Sequence, residues 1–536
     1  MTPSKGRGAD ALVQVLKDAG VERIFTLSGN HVMPVFDAAF DAGIELVHVR
    51  HEAAAVHMAD AWARITGRPG VALVTGGPGH ANAVGALYTA AMAESPVVLL
   101  SGHAPLAQLG RGAFQEMLQA EVAAPLTKAA WTAQSADALP RDAAHAIAIA
   151  QAGRPGPVHL SLPQDALEQK ASTQAPFPRP EVPPADAFDP SALQAWLAQA
   201  RRPLILCGPA CMTRDGRAAM RALEEALGVP VVGMESPRGI ADPSLGAFAE
   251  MLAQADAVLL LGKRLDFTLR FGAAPAFAPD SQVAQVDPEP QEIERAQVAV
   301  GARCVLTAVA DTRSAMAALA RCARAPSSAW LEEVRSAVRY RPPAWDSAHG
   351  EAGRLHPVQA LRPLQQLLDA HPGSVFVSDG GEFGQWAQAC LEAPHRVING
   401  VAGSIGAALP FAIAARFACP GAPVIAAMGD GTFGFHCAEI DTAVRHGVSF
   451  LAVVGNDARW NAEYQIQLRD YGRARAIGCE LLPTRYELVA QAFGGHGERV
   501  TDAGALLPAA RRALEAPVPS VLNVMIEGLA APNVRR

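Results

Sequence analysis

The chain has 536 residues, half of them apolar and 18% charged, enough for about three domains of ~150–200 residues each with ample core. A net charge of −7 gives no electrostatic case for nucleic acid or an anionic membrane as partner. The N-terminal MTPSKGRGADALVQVL lacks an apolar segment of signal length, and no run of about 18 apolar residues occurs, so a soluble cytoplasmic protein is expected. From Gly8 to about Pro163, apolar helices alternate with short strands expected at 24–27, 46–49, 71–74, 97–100 and 158–162, the signature of a doubly wound parallel sheet. Arg50-His51-Glu52 opens a helix directly after a strand, with Glu52 in its first turn, where a carboxylate alone reads as a helix-dipole partner. Gly76-Gly77-Pro78-Gly79-His80 follows the next strand and opens another helix; alone it is a Gly-Pro turn.

Pro176, Pro178, Pro180, Pro183 and Pro184 then mark an extended linker. A second alternating region has strands expected at 203–206, 229–232, 257–261 and 282–286, and breaks at Arg341-Pro342-Pro343. A third region has strands expected at 374–377, 396–399, 424–428, 450–454 and 520–525. The fold class expected is α/β, with three doubly wound parallel-sheet domains over 1–170, 186–342 and 356–536. Eight scattered cysteines, the closest pair being Cys207 and Cys211 with no histidine cluster nearby, read as reduced core residues.

The third region carries the densest chemistry. The apolar run 423–428 releases into Gly429-Asp430-Gly431-Thr432, with a helix expected over 438–445, and the next strand ends at Gly455-Asn456-Asp457. Two acids thus sit at the carboxyl ends of two strands, the edge where open parallel sheets bind ligands. A hard cation such as magnesium takes one or two carboxylates plus phosphate oxygens. Two more glycine-rich loops, Ser378 to Phe383 and Asn399 to Gly406, follow strands of the same region. Amides at such turns suit phosphate. One glycine loop is commonly a connector; three beside an acid pair read as a diphosphate–metal anchor.

HEAAAVHMADAWAR, TGGPGHANAVGAL, GAFQE, GSIGAALP and GDG…ND, in that order, resemble the thiamine diphosphate (ThDP) enzymes of the acetolactate synthase group over essentially the full chain. The resemblance implies a pyrimidine-binding domain, a central domain and a diphosphate-binding domain. It implies that Glu52 hydrogen-bonds the aminopyrimidine ring and promotes the imino tautomer that removes the thiazolium proton. Ile405 matches the wedge that bends the cofactor, and Gly403 the carbonyl that accepts from its amino group. Asp430 matches the metal aspartate; Gly429, Gly431 and Thr432 match diphosphate-loop positions, as do Gly381 and Glu382. Asp457 falls where many members carry asparagine, and both oxygens ligate magnesium. The third protein ligand would be the backbone carbonyl of Arg459. The family builds each site from two subunits, so a homodimer or homotetramer is implied, with Glu52 and Asp430 of one site on different chains.

Substrate identity is expected around Asn30, His31, His80 and Gln115. His31 and His80 stand where true acetolactate synthases have small residues, which suggests acid–base handling of a substrate oxygen or, alternatively, structural roles. Glu463 falls where simple 2-oxo-acid decarboxylases carry a catalytic glutamate, yet a solvated helix carboxylate fits equally. Ile466 replaces the gating tryptophan of true synthases. In the central domain, Leu261 to Asp266 and Val286 to Pro288 end adjacent strands and form a nucleotide edge for FAD or ADP, or else the domain is structural. The first expectation is a ThDP- and Mg2+-dependent enzyme acting on 2-oxo acids, with pyruvate decarboxylation and two-carbon transfer foremost. The alternatives are a 2-hydroxyacyl-CoA lyase or oxalyl-CoA-type decarboxylase, a cyclic-diketone hydrolase, and a non-catalytic ThDP-binding subunit. The segment after the last strand, 527–536, is expected to be too short to cover an acyl-CoA.

Overall fold

Short Val/Leu/Ile runs such as Val97 to Leu100 are buried on both faces, which is the environment of a parallel strand between two helical layers. The computed structural model describes residues 6–172, 188–321 and 329–536. The proline-rich linker expected over 176–184 lies outside these residues. The first sheet holds β1 (Arg23–Thr26), β2 (Glu45–His48), β3 (Gly70–Val74), β4 (Val97–His103), β5 (Ala129–Thr132) and β6 (Val158–Pro163), in the order β2-β1-β3-β4-β6-β5. The second holds β7 (Pro203–Cys207), β8 (Val231–Gly233), β9 (Ala257–Leu261), β10 (Gln282–Asp287) and β11 (Cys304–Val309), in the order β11-β10-β9-β7-β8. The third holds β12 (Val375–Ser378), β13 (His395–Ile398), β14 (Val424–Gly429), β15 (Leu451–Asn456), β16 (His496–Val500) and β17 (Ser520–Met525), in the order β13-β12-β14-β15-β17-β16. All strand pairs are parallel.

The first and third sheets share one topology. In each, the chain turns back between the first and third strands, so the switch points fall at β1/β3 and at β12/β14. Ligands bind beyond the carboxyl ends at such points. The apolar runs mark every strand except β5, β11 and β16, and each of these lies at a sheet edge. β11 alternates half-buried and exposed residues, and β16 reads His-Gly-Glu-Arg-Val, so neither shows a continuous apolar run. A second difference concerns the metal loop: GDGTFGF is itself helical over Asp430–His436, ahead of the expected helix, which spans Glu439–Arg445.

The first and third domains share one hydrophobic core. Helix Glu52–Thr66 presents Ala54, Ala55, Met58 and Ala61, and helix Ala408–Ala418 presents Leu409, Phe411, Ala412 and Ala415 to that cluster. Alanine-rich faces let the two helices approach closely. Arg64 adds a cross-domain tie: its guanidinium lies 4.9 Å from the Phe411 ring and donates to the carbonyl of Ile398. The cysteines among the described residues are free, and no helix there is long and apolar enough to cross a membrane.

The central domain is pinned to the first by a buried cation. Arg154 reaches Glu94 of its own domain, Asp287 at the end of β10 (2.5 Å) and Glu289 (3.2 Å), and donates to the carbonyl of Gly262. Glu94 also accepts the amide of Ala210, which follows β7. Asp287, expected at a nucleotide edge, is therefore matched by a protein guanidinium. Removing one partner of a buried ion pair strands the others. Arg154→Met is expected to cost about 3–5 kcal/mol, read as a lower urea midpoint for the joined first and central domains.

Candidate active site

β14 and β15 run in register, Gly429 opposite Gly455, so Asp430 and Asn456-Asp457 emerge together at the carboxyl edge of the third sheet. Asp430 is 1% exposed, and its Oδ2 has no hydrogen-bond partner. Burial, with the charge of Asp457 added, pushes its carboxyl up to about 7. Burial likewise raises Asp457 to about 6, against the opposing pull of Arg459. Two desolvated carboxylates, one with an unpartnered oxygen, meet at this edge. Among the described residues no group of three or more His, Cys, Asp or Glu could hold a metal by itself, and a hard cation would take carbonyl, phosphate or water oxygens besides these two acids.

The turn that carries Asp457 is strained. Ala458 has φ +59°, a left-handed conformation costly for a residue with a Cβ. It is held there because its amide donates to Asn456 Oδ1 at 3.2 Å, while Asn456 Nδ2 bonds Asn523 and the carbonyl of Thr484. Trp460 covers Gly431: a Cβ at that position would lie 2.6 Å from the indole ring, so only glycine fits. Thr432 Oγ1 donates back to the carbonyl of Gly429. Arg459 places its guanidinium 4.5 Å from the Tyr464 ring.

Asp379, at the end of β12, organises the neighbouring loop. It is fully buried and accepts the amides of Gly380 (2.7 Å), Gly406 (2.9 Å) and Ala408 (3.1 Å). Burial raises it to about 6 despite those bonds. The loop that bears Gly403 and Ile405 is thus tied across the switch point, with Ile405 against Gly380, where a Cβ would come within 2.8 Å of it. Gly381 has φ +78° and open space beside it. Glu382 points elsewhere: it pairs with Arg238 at 3.0 Å and accepts the amide of Ala531 at 2.7 Å. Its carboxyl is raised first by burial and also by the charge of Glu463, so these two acids are neighbours. Glu463 is exposed, as is Ile466.

The matching edge of the first sheet carries Glu52. His51 caps its helix, Nδ1 accepting the amide of Ala53 at 3.1 Å. The Glu52 carboxylate is buried and accepts from Asn82 Nδ2 at 3.0 Å. Among the described residues no hydrogen bond joins that carboxylate to the third domain. Gln119 fixes the glycine loop, Oε1 accepting the Gly77 amide at 2.8 Å and Nε2 donating to Gly102 and Ser161. Gln115 packs on Gly77 with φ +57°, a second left-handed residue in a segment expected at the site. His31 is buried with Nδ1 3.2 Å from Thr75 Oγ1 and its ring stacked on Phe114. His80 is fully buried, Nδ1 2.9 Å from Ser101 Oγ and ring 4.5 Å from that of His159; burial lowers it to about 4.

The chain matches the thiamine pyrophosphate enzyme N-terminal TPP binding domain over residues 6–122, the central domain over 191–319 and the C-terminal TPP binding domain over 379–524. It belongs to the thiamine pyrophosphate enzymes. Over 96% of its length it is 33% identical to a probable acetolactate synthase of Mycobacterium bovis (strain ATCC BAA-935 / AF2122/97), covering 94% of that protein. It is 32% identical to the Homo sapiens 2-hydroxyacyl-CoA lyase 2, with 91% of this chain and 84% of that one aligned. It is 31% identical to the sulfoacetaldehyde acetyltransferase of Castellaniella defragrans, with 98% and 93% aligned. This thiamine pyrophosphate enzyme is therefore a catalyst of the synthase, lyase and acetyltransferase type, with thiamine diphosphate as its cofactor.

Four residues of this thiamine pyrophosphate enzyme gained a role only from the structure: Asp379, Asn82, Gln119 and Trp460. Their type is ordinary, and only their partners reveal them. The carboxylate pair makes one prediction. Both acids titrate above the ordinary aspartate value of 3.8, so the stability they contribute is full below it and is lost as pH rises through about 6 to 7. A divalent cation offered with the cofactor should then raise the thermal midpoint more at about pH 8, where both are ionised, than at about pH 5.5, where it must displace protons. Scanning fluorimetry at the two pH values checks this.

Proposed function

We propose that this is a ThDP- and Mg2+-dependent enzyme that cleaves or forms a C–C bond beside the carbonyl of a 2-oxo acid. Decarboxylation of pyruvate with transfer of the two-carbon fragment is the first assignment. The observation that carries the cofactor and metal part is the buried Asp430/Asp457 pair, with its unpartnered Oδ2, at the switch point of the third sheet, while the likeness to an acetolactate synthase supports the substrate. Asp430, Asp457 and the carbonyl of Arg459 would hold magnesium; Gly381, Gly429, Gly431 and Thr432 would line the diphosphate, and Gly403 and Ile405 the ring system. When bound, the cofactor supplies a carbon nucleophile and an electron sink. Glu52, buried and held by Asn82, would exchange a proton with the pyrimidine ring of the bound cofactor.

Substrate handling falls to His31, Gln115 and Glu463 in this reading. Burial lowers His31, so its imidazole is neutral near pH 7 and exchanges hydrogen bonds rather than supplying charge. His80, enclosed against Ser101 and His159, supports the helix of the glycine loop. Glu382, engaged by Arg238 and Ala531, serves the domain junction rather than the diphosphate. A homodimer or homotetramer is part of the proposal. Met33, Phe114 and Leu118 of the first domain and Phe435 and Ile466 of the third are exposed apolar side chains near these half-sites, which a second copy would cover.

A 2-hydroxyacyl-CoA lyase is the second reading. It is favoured by the exposed Ile466 in place of a gating tryptophan and by the lyase relative. For the central domain, a cavity of about 460 Å³ lies beside Gly262, Pro288 and Arg313, but Asp287 is committed to Arg154, which favours a structural domain over one that holds FAD or ADP through that acid. Flavin absorbance and ADP titration test it.

Glu52→Gln is expected to lower turnover by about 10²–10⁴-fold with ThDP affinity nearly unchanged, the range for a lost proton-transfer group. Asn82→Ala should lower it about tenfold by freeing the carboxylate. Product analysis with pyruvate, 2-hydroxyacyl-CoAs and cyclic diketones decides the substrate, and no ThDP-dependent turnover of any 2-oxo acid would overturn the first assignment.

A further inference from the structure

The turn that opens the Glu52 helix is held from the third domain. Glu439, at the start of helix Glu439–Arg445, is 1% exposed. Its Oε1 accepts the amides of Arg50 at 3.0 Å and His51 at 3.1 Å, and its Oε2 accepts the Arg50 amide at 3.2 Å and the Thr442 hydroxyl at 2.6 Å. These two amides immediately precede Glu52. The His51 amide is at the helix N-cap and the Arg50 amide lies one residue before it, and a carboxylate makes the stronger, charge-assisted kind of bond to both.

A second contact runs alongside. His436, the last residue of the helix that begins at Asp430, lies with Nδ1 2.7 Å from the carbonyl of Gly406. A carbonyl only accepts, so Nδ1 carries the proton and donates. The His436 ring meets those of His51 and His57, on the Glu52 helix, at 5.8 Å each. Gly406 follows Ile405, and its amide is the one that Asp379 holds. One continuous set of contacts therefore links the Ile405 loop, the Asp430 helix and the backbone before Glu52, all within one chain.

We propose that Glu439 is a positioning residue for Glu52: it fixes the Arg50-His51 backbone, and with His436 makes the placement of the Glu52 carboxyl depend on the diphosphate-side domain of the same chain. The proposal rests on the proton role assigned to Glu52. Placement matters because a shift of about 1 Å in such a group costs about 10²-fold in rate. Glu439→Gln keeps an oxygen for the two amides, and Thr442 can turn its hydroxyl to accept from the new amide. Glu439→Ala keeps neither.

The test uses holoenzyme saturated with ThDP and Mg2+, and two readouts besides turnover. One is amide hydrogen exchange of the peptide spanning Arg50 to Glu52, by mass spectrometry. The other is exchange of the bound cofactor's C2 proton with D2O, by quenched-flow NMR. For Glu439→Ala the expectation is amide exchange about tenfold faster and C2 exchange about tenfold slower, with ThDP affinity within about twofold of wild type. Glu439→Gln should restore both to within about threefold. Thr442→Val, which removes only the hydroxyl donor, should move both in the same direction by less, and serves where Glu439→Ala does not fold. Unchanged amide protection in both Glu439→Ala and Thr442→Val overturns the proposal, as does a Gln variant no better than Ala. Glu52→Gln separates the two ideas. If it slows C2 exchange while Glu439→Ala leaves it unchanged, the positioning role fails. If Glu52→Gln itself has no effect on C2 exchange, the Glu52 reading fails and amide protection alone judges the clamp.

Discussion

The packing of helix Glu52–Thr66 on helix Ala408–Ala418 is the constraint from which the rest follows. It merges the cores of the first and third domains, so the two sheets of equal topology are built as one body rather than as beads on a linker. Small side chains make this possible: Ala54, Ala55, Ala61, Ala412 and Ala415 leave room for close helix approach. Once these helices are joined, the turn before Glu52 comes within hydrogen-bond reach of Glu439, and His51 and His57 come against His436.

The buried acids of the third domain show how chemistry and support are divided. Asp379 and Asp430 leave two neighbouring strands at the same switch point, and burial raises both. Asp379 spends its oxygens on amides of Gly380, Gly406 and Ala408, which shapes the Ile405 loop. Asp430 keeps an oxygen with no protein partner, beside a second desolvated carboxylate. A buried polar group without a partner costs free energy, so the first arrangement is that of a brace, while the second is what the proposed cation site rests on.

The central domain follows a different logic. Its strand ends would suit a nucleotide by position, yet Arg154 from the first domain takes up Asp287, Glu289 and the carbonyl of Gly262. With Glu94 of the first domain, this buried cation satisfies four groups on two domains and serves as a joint. The same carboxylate therefore reads as a ligand when only its own strand is considered and as a brace when its neighbour is known.

Much of the fold could be read from residue order. Strands buried on both faces leave continuous Val/Leu/Ile runs, so the inner strands of all three sheets were legible, and Glu52, Asp430 and Asp457 could be placed at strand or helix ends from their neighbours. β5, β11 and β16 could not: each is a partly solvated edge strand without such a run, whereas the opposite edges β2, β8 and β13 keep short apolar runs that mark them. Nor could the helix in GDGTFGF, whose glycines argue for a loop until Phe433 finds the shared core. The roles of Asp379, Asn82, Gln119, Arg154 and Glu439 were decided by tertiary structure alone. Periodicity reports what a segment buries, whereas a hydrogen bond such as Glu439 to His51 joins residues 388 positions apart, and only packing determines who stands opposite whom.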